Sequence, residues 1–222
     1  MNKYKELTEV LMNLSLRLDD STVENIENYL DILFRWHEKN NILSTRDPSY
    51  FLKRDFFDSL SMLQYLPPGP LLDIGTGAGI PGILLAFIRK NDHMMLLDRR
   101  ENAIRFLEHA KLKLGLKNID IIKGDVNKVK TKMKPTAILI KNFSNKIISK
   151  LNFESKLCHI ISIARHKLLC DSNIFMLSGS NVLEINKNKK SYEQKTSSSL
   201  TIRQIQTPYF NTHRYVLEIS NV

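Results

Sequence analysis

The chain has little cysteine and no long apolar run. Only two of its 222 residues are cysteines, Cys158 and Cys170, which are too few for the disulfide framework of a secreted protein and indicate a reducing compartment. No apolar run approaches the roughly 20 residues that span a bilayer, and residues 1–6 lack the apolar core of a secretion signal. We therefore expect a cytoplasmic protein without a membrane anchor.

The composition is that of a globular protein, and its charge is divided unevenly along the chain. Apolar residues make up 42% and charged residues 25%, and the formal net charge is +10. Residues 1–66 contain 8 Lys/Arg and 11 Asp/Glu, a net charge of −3, whereas residues 67–222 contain 25 and 12, a net charge of +13. The basic part favours a polyanionic partner such as nucleic acid, although a lysine-rich surface can also serve solubility alone.

Residues 1–66 have the apolar spacing of helices and are predicted to form a helical N-terminal cap. Two apolar stripes recur at helical spacing within the first 40 residues, and residues 50–66 continue the pattern. Ser21 and Glu24 fit a capping box, in which Ser21 accepts a hydrogen bond from the Glu24 amide. The Pro-Pro-Gly-Pro run at 67–70 then marks the junction to the main domain.

Residues 67–222 alternate short apolar strands with helices and are predicted to form one α/β domain. Strands are predicted at 71–74, 94–98, 119–122, 137–140 and 174–177, and helices at 80–90, 101–114 and 151–169. This alternation implies a parallel sheet covered on both faces. The strands predicted at 200–206 and 214–219 lack an intervening helix and indicate an antiparallel hairpin at the sheet edge. Residues 186–199, rich in Lys, Ser and Asn, are predicted to form an exposed, mobile loop.

A glycine-rich segment directly follows the first predicted strand. Its candidate binding residues are Asp73, Gly75, Thr76, Gly77 and Gly79. Glycines let the backbone pass close to a ligand because no Cβ intervenes, and α/β sheets bind ligands in the crevice beside their strand ends.

Two further acids follow the next two predicted strands. Asp98 ends the second strand, where a carboxylate can accept both hydroxyls of a ribose, and Asp125 follows the third, where it can accept from an adenine amino group. Together with Asp73 they place acids at three successive strand ends. This arrangement, beside a glycine loop, indicates an adenosine-shaped site.

The segment Gly77–Gly82 also matches the G-x-G-x-x-G pattern of dinucleotide-binding proteins. Asp73 argues against that interpretation, because its carboxylate would repel a pyrophosphate but suits the ammonium group of S-adenosylmethionine. Pro81 also removes an amide that a pyrophosphate site could use. We therefore favour a methyltransferase over an oxidoreductase, and over glycines that merely form a tight turn.

Four motifs lie at fixed positions between Trp36 and Leu114. They are W-H-E-K-N-N-I at 36–42, D-S-L at 58–60, G-T-G-A-G-I-P-G at 75–82, and Asp98 with Phe106-Leu107. Together they resemble the bacterial small-subunit ribosomal RNA guanine-N7 methyltransferases, also called the glucose-inhibited division protein B family. The Ala-Gly-x-Pro-Gly run after the first glycines is rather specific to that family.

The resemblance implies a fold, a cofactor and a substrate. The implied fold is a class I methyltransferase, a mostly parallel seven-stranded sheet with a helical N-terminal cap. The implied cofactor is S-adenosyl-L-methionine, and the implied partner is the ribosomal RNA of the small subunit, methylated at guanine N7. The sequence leaves the oligomeric state open, and we favour a monomer. Lys141 stands where the family's Arg faces the cofactor and the target base, so it is the candidate positioning residue. Arg54, Lys141 and Arg165 are the residues we expect to contact RNA.

Among the positions at which the chain departs from the family pattern, five bear on its activity. Asp55 replaces a His, Asn102 and Ala103 replace a Lys-Arg pair, Lys141 replaces an Arg, and Ser178 replaces a Lys. Lys141 keeps the positive charge but lacks the planar fork of Arg. Two alternatives therefore stay open: a methyltransferase of another RNA or a small molecule, and a weakly active RNA- or ribosome-binding homologue.

Guanine N7 carries a free lone pair, so its methylation can depend on positioning and electrostatics without a general base. Other chemistries find no support. Residues 142–144 are not the Asn/Asp-Pro-Pro-aromatic run of amino-group methyltransferases, and the cysteine nucleophile of a cytosine C5 enzyme is missing, since Cys158 and Cys170 lie in an apolar helical stretch. No common metal-site spacing matches the set Cys158, His159, His166 and Cys170, so we predict no metal.

Overall fold

The structure is a computed structural model that describes residues 4–129, 131–141, 151–167, 172–187, 189–211 and 213–221. Its strands are β1 (Leu71–Ile74), β2 (Met94–Asp98), β3 (Ile119–Lys123), β4 (Ala137–Lys141), β5 (Asn173–Ser178), β6 (Ser198–Ile205) and β7 (Arg214–Asn221). They form one seven-stranded sheet in the order β3-β2-β1-β4-β5-β7-β6. Strands β1 to β5 are parallel, and β7 is antiparallel to both β5 and β6. The predicted fold class, with its antiparallel C-terminal hairpin, is confirmed.

Helices and helical turns flank the sheet. The α-helices are α1 (Lys5–Asn13), α2 (Asp20–Asn40), α3 (Pro48–Phe51), α4 (Phe57–Ser61), α5 (Gly82–Ile88), α6 (Glu101–Leu114), α7 (Phe153–Ser162), α8 (Val182–Lys187) and α9 (Lys189–Thr196). π-helical turns at Leu52–Phe56 and Ile163–Lys167 follow α3 and α7, and a 3-10 turn spans Leu63–Tyr65. None of the described helices is long and apolar enough to cross a membrane.

The sheet separates two hydrophobic clusters because successive strand residues point to opposite faces. Leu71 packs in the first cluster with residues of the N-terminal helices, among them the fully buried Tyr29. Leu72 packs in the second cluster with Leu157 of α7 and Tyr192 of α9. The N-terminal helices therefore share a core with the sheet. The division into a cap at 1–66 and a methyltransferase domain at 67–222 stays a prediction.

Several predicted bounds agree closely with the structure. Helix α6 begins and ends at the predicted residues, and Gly115 follows it in the left-handed conformation with φ 62°. The helix predicted at 80–90 is shorter, because residues 80 and 81 still belong to the glycine-rich turn and α5 begins at Gly82. Of the helix predicted at 151–169, residues 168 and 169 lie outside the described residues.

The predicted capping box at the start of α2 is wrong. Asp19, with an extended backbone, is the N-cap residue, and its Oδ1 accepts from the Thr22 amide at 2.9 Å. Ser21 already lies within the helix and donates its hydroxyl to Asp19. A carboxylate at the N-cap also interacts favourably with the helix dipole, which explains why the N-cap lies two residues before the predicted Ser21.

The exposed, mobile loop predicted at 186–199 is also wrong. Helices α8 and α9 and the beginning of β6 occupy this part of the chain. Val182, Ile185 and Tyr192 are buried in the second cluster. Because most helical stability in proteins comes from packing of an apolar face, these three side chains outweigh the polar composition around them.

Candidate functional site

The glycine-rich turn after β1 depends on positions that only glycine tolerates. Gly75, Gly77 and Gly79 all have positive φ, at 71°, 58° and 83°. A Cβ on Gly79 would lie 2.5 Å from Ile83 Cδ1, and one on Gly82 would lie 2.2 Å from Leu96 Cδ2. The loop therefore folds tightly onto α5 and leaves its outer face open for a ligand.

Asp73 holds this turn from inside the sheet. Its side chain is buried, and its Oδ2 accepts from Thr76 Oγ1 at 2.7 Å and from the Gly82 amide at 3.0 Å. Its Oδ1 is buried and has no hydrogen-bond partner among the described residues. Burial raises the pKa of Asp73 to about 6, against the opposing effect of these two donors. One carboxylate oxygen thus shapes the loop and the other is left without a donor.

Tyr29 of α2 clamps the same turn from the cap. Its hydroxyl donates to the Ala78 carbonyl at 2.7 Å in a fully buried contact. The ring packs near Phe87 and Phe106, with centroids at 6.3 Å in both pairs. A residue of the N-terminal helices thus fixes the backbone of the glycine loop, a contact that sequence reasoning missed.

Asp98 at the end of β2 faces the loop and is engaged by Arg100. Its Oδ2 accepts from the Gly77 amide at 2.9 Å and from Arg100 Nη2 at 3.1 Å, and its Oδ1 accepts from the Arg100 amide at 2.9 Å. Burial raises the pKa of Asp98, but the Arg100 and Gly77 hydrogen bonds outweigh it and hold the pKa below its ordinary value. The carboxylate predicted to accept ribose hydroxyls is therefore paired with an arginine whose side chain is 59% exposed.

A cavity of about 200 Å³ lies between this loop and the cap. Its lining residues are Ile42, Leu43, Ser44, Phe51, Asp55, Gly75, Thr76, Gly77, Ala78, Ile80, Arg100 and Lys141. The structure thus brings Gly75, Thr76 and Gly77 together with Lys141, whereas residues 42–51 were not predicted to line the site. The motif ending at Ile42 was the signal that could have identified them.

Lys141 ends β4 and forms a buried ion pair with Asp55. The distance from Nζ to Asp55 Oδ1 is 2.9 Å, and both side chains are at most 10% exposed. Burial raises the pKa of Asp55, but Lys141 and then Arg54 outweigh it and hold the pKa below its ordinary value. Two positions at which the chain departs from the family pattern therefore contact each other.

Arg54 connects Asp55 to a second cavity. Its Nε donates to Asp55 Oδ2 at 2.9 Å and its Nη2 to Ser44 Oγ at 2.8 Å. Its guanidinium also lies over the Tyr50 ring, 4.6 Å from the centroid. The second cavity has a volume of about 540 Å³ and is lined by Tyr50, Arg54, Asp58, Gly179, Ser180, Phe210, Asn211, His213 and Arg214.

The remaining predicted residues lie apart from the two cavities. Asp125 is exposed in the turn after β3, where Asn127 donates to it from backbone and side chain at 2.9 and 2.8 Å and lowers its pKa. Arg165 donates to the backbone of Thr196 and Ser197, at the edge of the sheet where β6 begins and β7 ends. The glycine loop and Lys141 lie at the opposite strand ends, where the central strands β1 and β4 end. We therefore leave Arg165 out of the proposed site, and its role in RNA binding stays a prediction.

The other three positions at which the chain departs from the family pattern, Asn102, Ala103 and Ser178, pack or pair within the fold. Asn102 accepts from Trp36 Nε1 at 3.3 Å and donates to the Asn40 carbonyl at 2.9 Å, which ties α6 to the end of α2. Ala103 is buried, and Ser178 pairs with Tyr215 of β7.

Cys158 is a half-buried free cysteine, whereas Cys170, the His166 side chain and residues 142–144 lie outside the described residues.

Comparison with known proteins identifies a family. Residues 22–213 match the family model GidB, described as rRNA small subunit methyltransferase G. The ribosomal RNA small subunit methyltransferase G of Ruthia magnifica subsp. Calyptogena magnifica is 28% identical over 177 residues, which cover 80% of this chain and 81% of that protein. Its namesake from Halorhodospira halophila is 36% identical over 117 residues, 53% of this chain and 56% of that protein. In the latter match the chain spans little more than half the length of the relative.

Solved structures of methyltransferases share the fold at low sequence identity. A methyltransferase from Pyrococcus furiosus superposes with a TM-score of 0.55 and 13% identity, covering 72% of this chain and 80% of its own. The human methyltransferase 10 domain containing protein superposes with a TM-score of 0.54 and 14% identity, covering 97% and 94%. These likenesses bear on the fold alone. Because the family model matches most of its length, the chain belongs to the rRNA small subunit methyltransferase G family.

Proposed function

We propose that the chain is an S-adenosyl-L-methionine-dependent methyltransferase that modifies guanine N7 in the ribosomal RNA of the small subunit. The observation that carries the proposal is the cavity between the glycine loop and the cap, with Lys141 in its wall. Asp73 and Asp98 accept from backbone amides of the same glycine-rich segment. Family membership supports the same activity. We further propose that the chain acts as a cytoplasmic monomer on the small subunit or its RNA.

The residues present suit S-adenosylmethionine. The unpartnered Oδ1 of Asp73 can accept from an ammonium group, and the positive-φ glycines open the backbone toward the ligand. Asp98 can accept from ribose hydroxyls once Arg100 turns aside, and Asp125 remains our candidate for the adenine amino group. When bound, S-adenosylmethionine supplies a methyl group to the N7 lone pair, with the carbon–sulfur electron pair remaining on sulfur and no proton released.

The chain's own contribution to this chemistry is positioning. Lys141 carries three N–H donors, of which one is engaged by Asp55. The others can hold guanine O6, or a neighbouring phosphate, so that N7 faces the methyl group. Asp55 fixes the ammonium in place through the buried ion pair, while Leu43 and Phe51 line the cavity with apolar surface. No general base is required, and positioning together with electrostatics accounts for the site.

Single-turnover methylation tests the proposal directly. Small subunits from cells that lack the modification are incubated with the chain and S-adenosylmethionine labelled on the methyl group, and the labelled nucleoside is identified. We expect N7-methylguanosine in the small-subunit RNA. Label on another RNA or a small molecule would contradict the proposed substrate, and cofactor binding without any transfer would contradict the proposed activity.

A second candidate is a weakly active RNA- or ribosome-binding protein. The observation that favours it is the engagement of both Lys141 and Arg54 by Asp55, which reduces the positive charge available to RNA beside the cavity. In that case the chain would bind small subunits while the single-turnover rate stays at background.

A further inference from the structure

The second cavity lies beside the cofactor cavity, and the two share a wall. Arg54 lines the second cavity, and its side chain donates to Ser44 and Asp55, which both line the first. A group seated in the second cavity is thus separated from the first by a few polar side chains only.

Two aromatic rings form a corner in this cavity. Tyr50 and Phe210 meet with centroids 5.4 Å apart and an angle of 70° between their planes. Tyr50 is 36% exposed, and Phe210 is also only partly buried. A flat heterocycle can stack on one ring of such a corner while its edge meets the other ring. Bases of single-stranded nucleic acids stack on aromatic side chains in the same way.

The polar lining suits a nucleotide. Arg54 and Arg214 are both only partly buried, and Asp58 is engaged by Arg214 at 2.7 Å, so the lining carries a net positive charge. Ser180, Asn211 and His213 are exposed and can donate to or accept from the edge of a base. The volume of the second cavity, about 540 Å³, falls in the range of small-molecule sites.

Gly179 forms an open part of the cavity wall. A Cβ on this residue would meet no atom of the described residues within 4 Å, and its φ lies outside the left-handed region. A larger side chain there is therefore compatible with the fold but intrudes into the cavity. A substitution at Gly179 can therefore block the cavity without lowering the stability of the protein.

From this geometry we infer that the cavity between Tyr50 and Phe210 binds one unpaired purine nucleotide of the RNA, with its base stacked in the aromatic corner. The inference rests on the proposed function, because an RNA whose target guanine lies at Lys141 brings a neighbouring nucleotide to the adjoining cavity. A base that leaves its stack in the RNA regains a stacking contact there. Arg54 then lies between the two cavities, where its hydrogen bonds to Asp55, Tyr50 and Ser44 fix the guanidinium as one wall of the pocket.

Guanosine 5′-monophosphate is the probe for this site. Its binding to the full chain is followed by backbone amide shifts of Gly179, Ser180 and His213 in nuclear magnetic resonance, with ribose 5-phosphate as the comparison ligand. We expect saturable shifts at these amides with the nucleotide and much weaker ones with the sugar phosphate. Equal binding of both ligands, or shifts confined to other regions, would overturn the inference.

Three variants complete the test. Phe210→Ala and Gly179→Val should each weaken binding of the nucleotide by about 5- to 100-fold, the range expected for loss of one stacking contact. Tyr65→Ala is the matched control, because Tyr65 also carries an arginine over its ring, Arg203 at 4.8 Å, but lines neither cavity. Wild-type affinity in both cavity variants would reject the site.

Binding of S-adenosylhomocysteine, measured in parallel by calorimetry, separates this inference from the proposed function. All three variants should bind it as the wild type does. Nucleotide binding without any binding of S-adenosylhomocysteine would remove the proposed function and leave the nucleotide site. Binding of S-adenosylhomocysteine without the nucleotide would remove the site alone.

Discussion

Lys141 and Asp55 form a buried ion pair that joins the end of β4 to the π-helical turn of the cap, with 2.9 Å between Nζ and Oδ1. Asp55 also accepts from Arg54 on its other oxygen. This ion pair therefore links the cap to the sheet beside the cavity that we propose for the cofactor. Both residues stand at positions where the chain departs from the family pattern that its motifs resemble.

Replacing Lys141 alone should affect both stability and activity. Lys141→Ala leaves Asp55 partly unpaired, and removal of one partner from a buried ion pair costs about 3–5 kcal/mol. We expect the lower end, because Arg54 remains, together with a 10- to 100-fold slower transfer, roughly 1.4–2.8 kcal/mol in the transition state. Urea denaturation, S-adenosylhomocysteine binding and single-turnover methylation measure the three quantities.

Two further variants separate positioning from stability at the same pair. Lys141→Arg retains the charge and can bond Asp55 through two donors, so it should keep or raise the transfer rate. The double variant with Asp55→Leu and Lys141→Met should regain most of the stability lost by Lys141→Ala but stay slow. A stable double variant with the wild-type rate would show that Lys141 acts only in the fold.

Binding of the cofactor product should weaken as the pH falls from 7 to 5. Asp73 has a pKa of about 6 in the folded chain, so its carboxylate is ionised above that pH and attracts an ammonium group. Affinity for S-adenosylhomocysteine should fall by at most about tenfold per pH unit below 6. Calorimetry across this range measures the slope.

Asp73→Asn is the control for that titration. It should bind about 10- to 100-fold more weakly at pH 7, since a hydrogen bond to a charged group contributes about 1.5–3 kcal/mol, and show a flat response. The same slope in Asp73→Asn would assign the titration to another group. The free energy of unfolding should change with pH in the opposite direction. Because burial raises the pKa of Asp73, its contribution to stability is complete below the unfolded-state pKa of 3.8 and is lost as the pH rises through about 6.

Tyr29→Phe should loosen the glycine loop. It removes the buried hydrogen bond to the Ala78 carbonyl and leaves that carbonyl unpaired, at a cost of about 1–3 kcal/mol. We expect lower stability in urea and weaker binding of S-adenosylhomocysteine. Tyr4→Phe is the matched control, because its hydroxyl donates to Asp31 at 2.7 Å, away from the loop. An equal loss of affinity in both variants would argue against a role for Tyr29 in the loop.

Arg100→Ala should raise the affinity for S-adenosylhomocysteine. Arg100 covers Asp98 in the present structure and has to leave before ribose hydroxyls reach both oxygens. The ion pair is largely exposed on the arginine side, so we expect a gain of at most about fivefold. Arg99→Ala is the neighbouring control. Weaker binding by Arg100→Ala would indicate that the guanidinium contacts the ligand directly.

RNA binding should be sensitive to salt because residues 67–222 carry a net charge of +13. The logarithm of affinity should fall linearly with the logarithm of salt concentration. Arg54→Ala should lower the steepness of that slope by about 0.7, the value for one phosphate contact on single-stranded RNA, and the same drop in Arg165→Ala would support the predicted RNA contact of Arg165. Filter binding to small-subunit RNA at several salt concentrations gives the slopes, and an unchanged slope in Arg54→Ala would exclude a phosphate contact there.

Features encoded over short stretches of sequence were predicted well. Continuous apolar runs indicated the buried parallel strands, and Gly115 marked the end of α6. By contrast, α8 and α9 were missed, because burial of Val182, Ile185 and Tyr192 depends on a sheet face formed elsewhere in the chain. Asp125 illustrates the same limit: its place after β3 was predicted, but its exposure and its bonds to Asn127 were not.

The sequence by itself determined the glycine loop and the carboxylates at the strand ends, because turn and strand preferences are local and parallel strands end at a common edge. Only the tertiary structure decided which cap residues face that edge. Asp55 reaches Lys141 across 86 residues, and Tyr50 meets Phe210 of the C-terminal hairpin. Contacts of this kind arise from the packing of helices on a sheet, and no spacing along the chain encodes them.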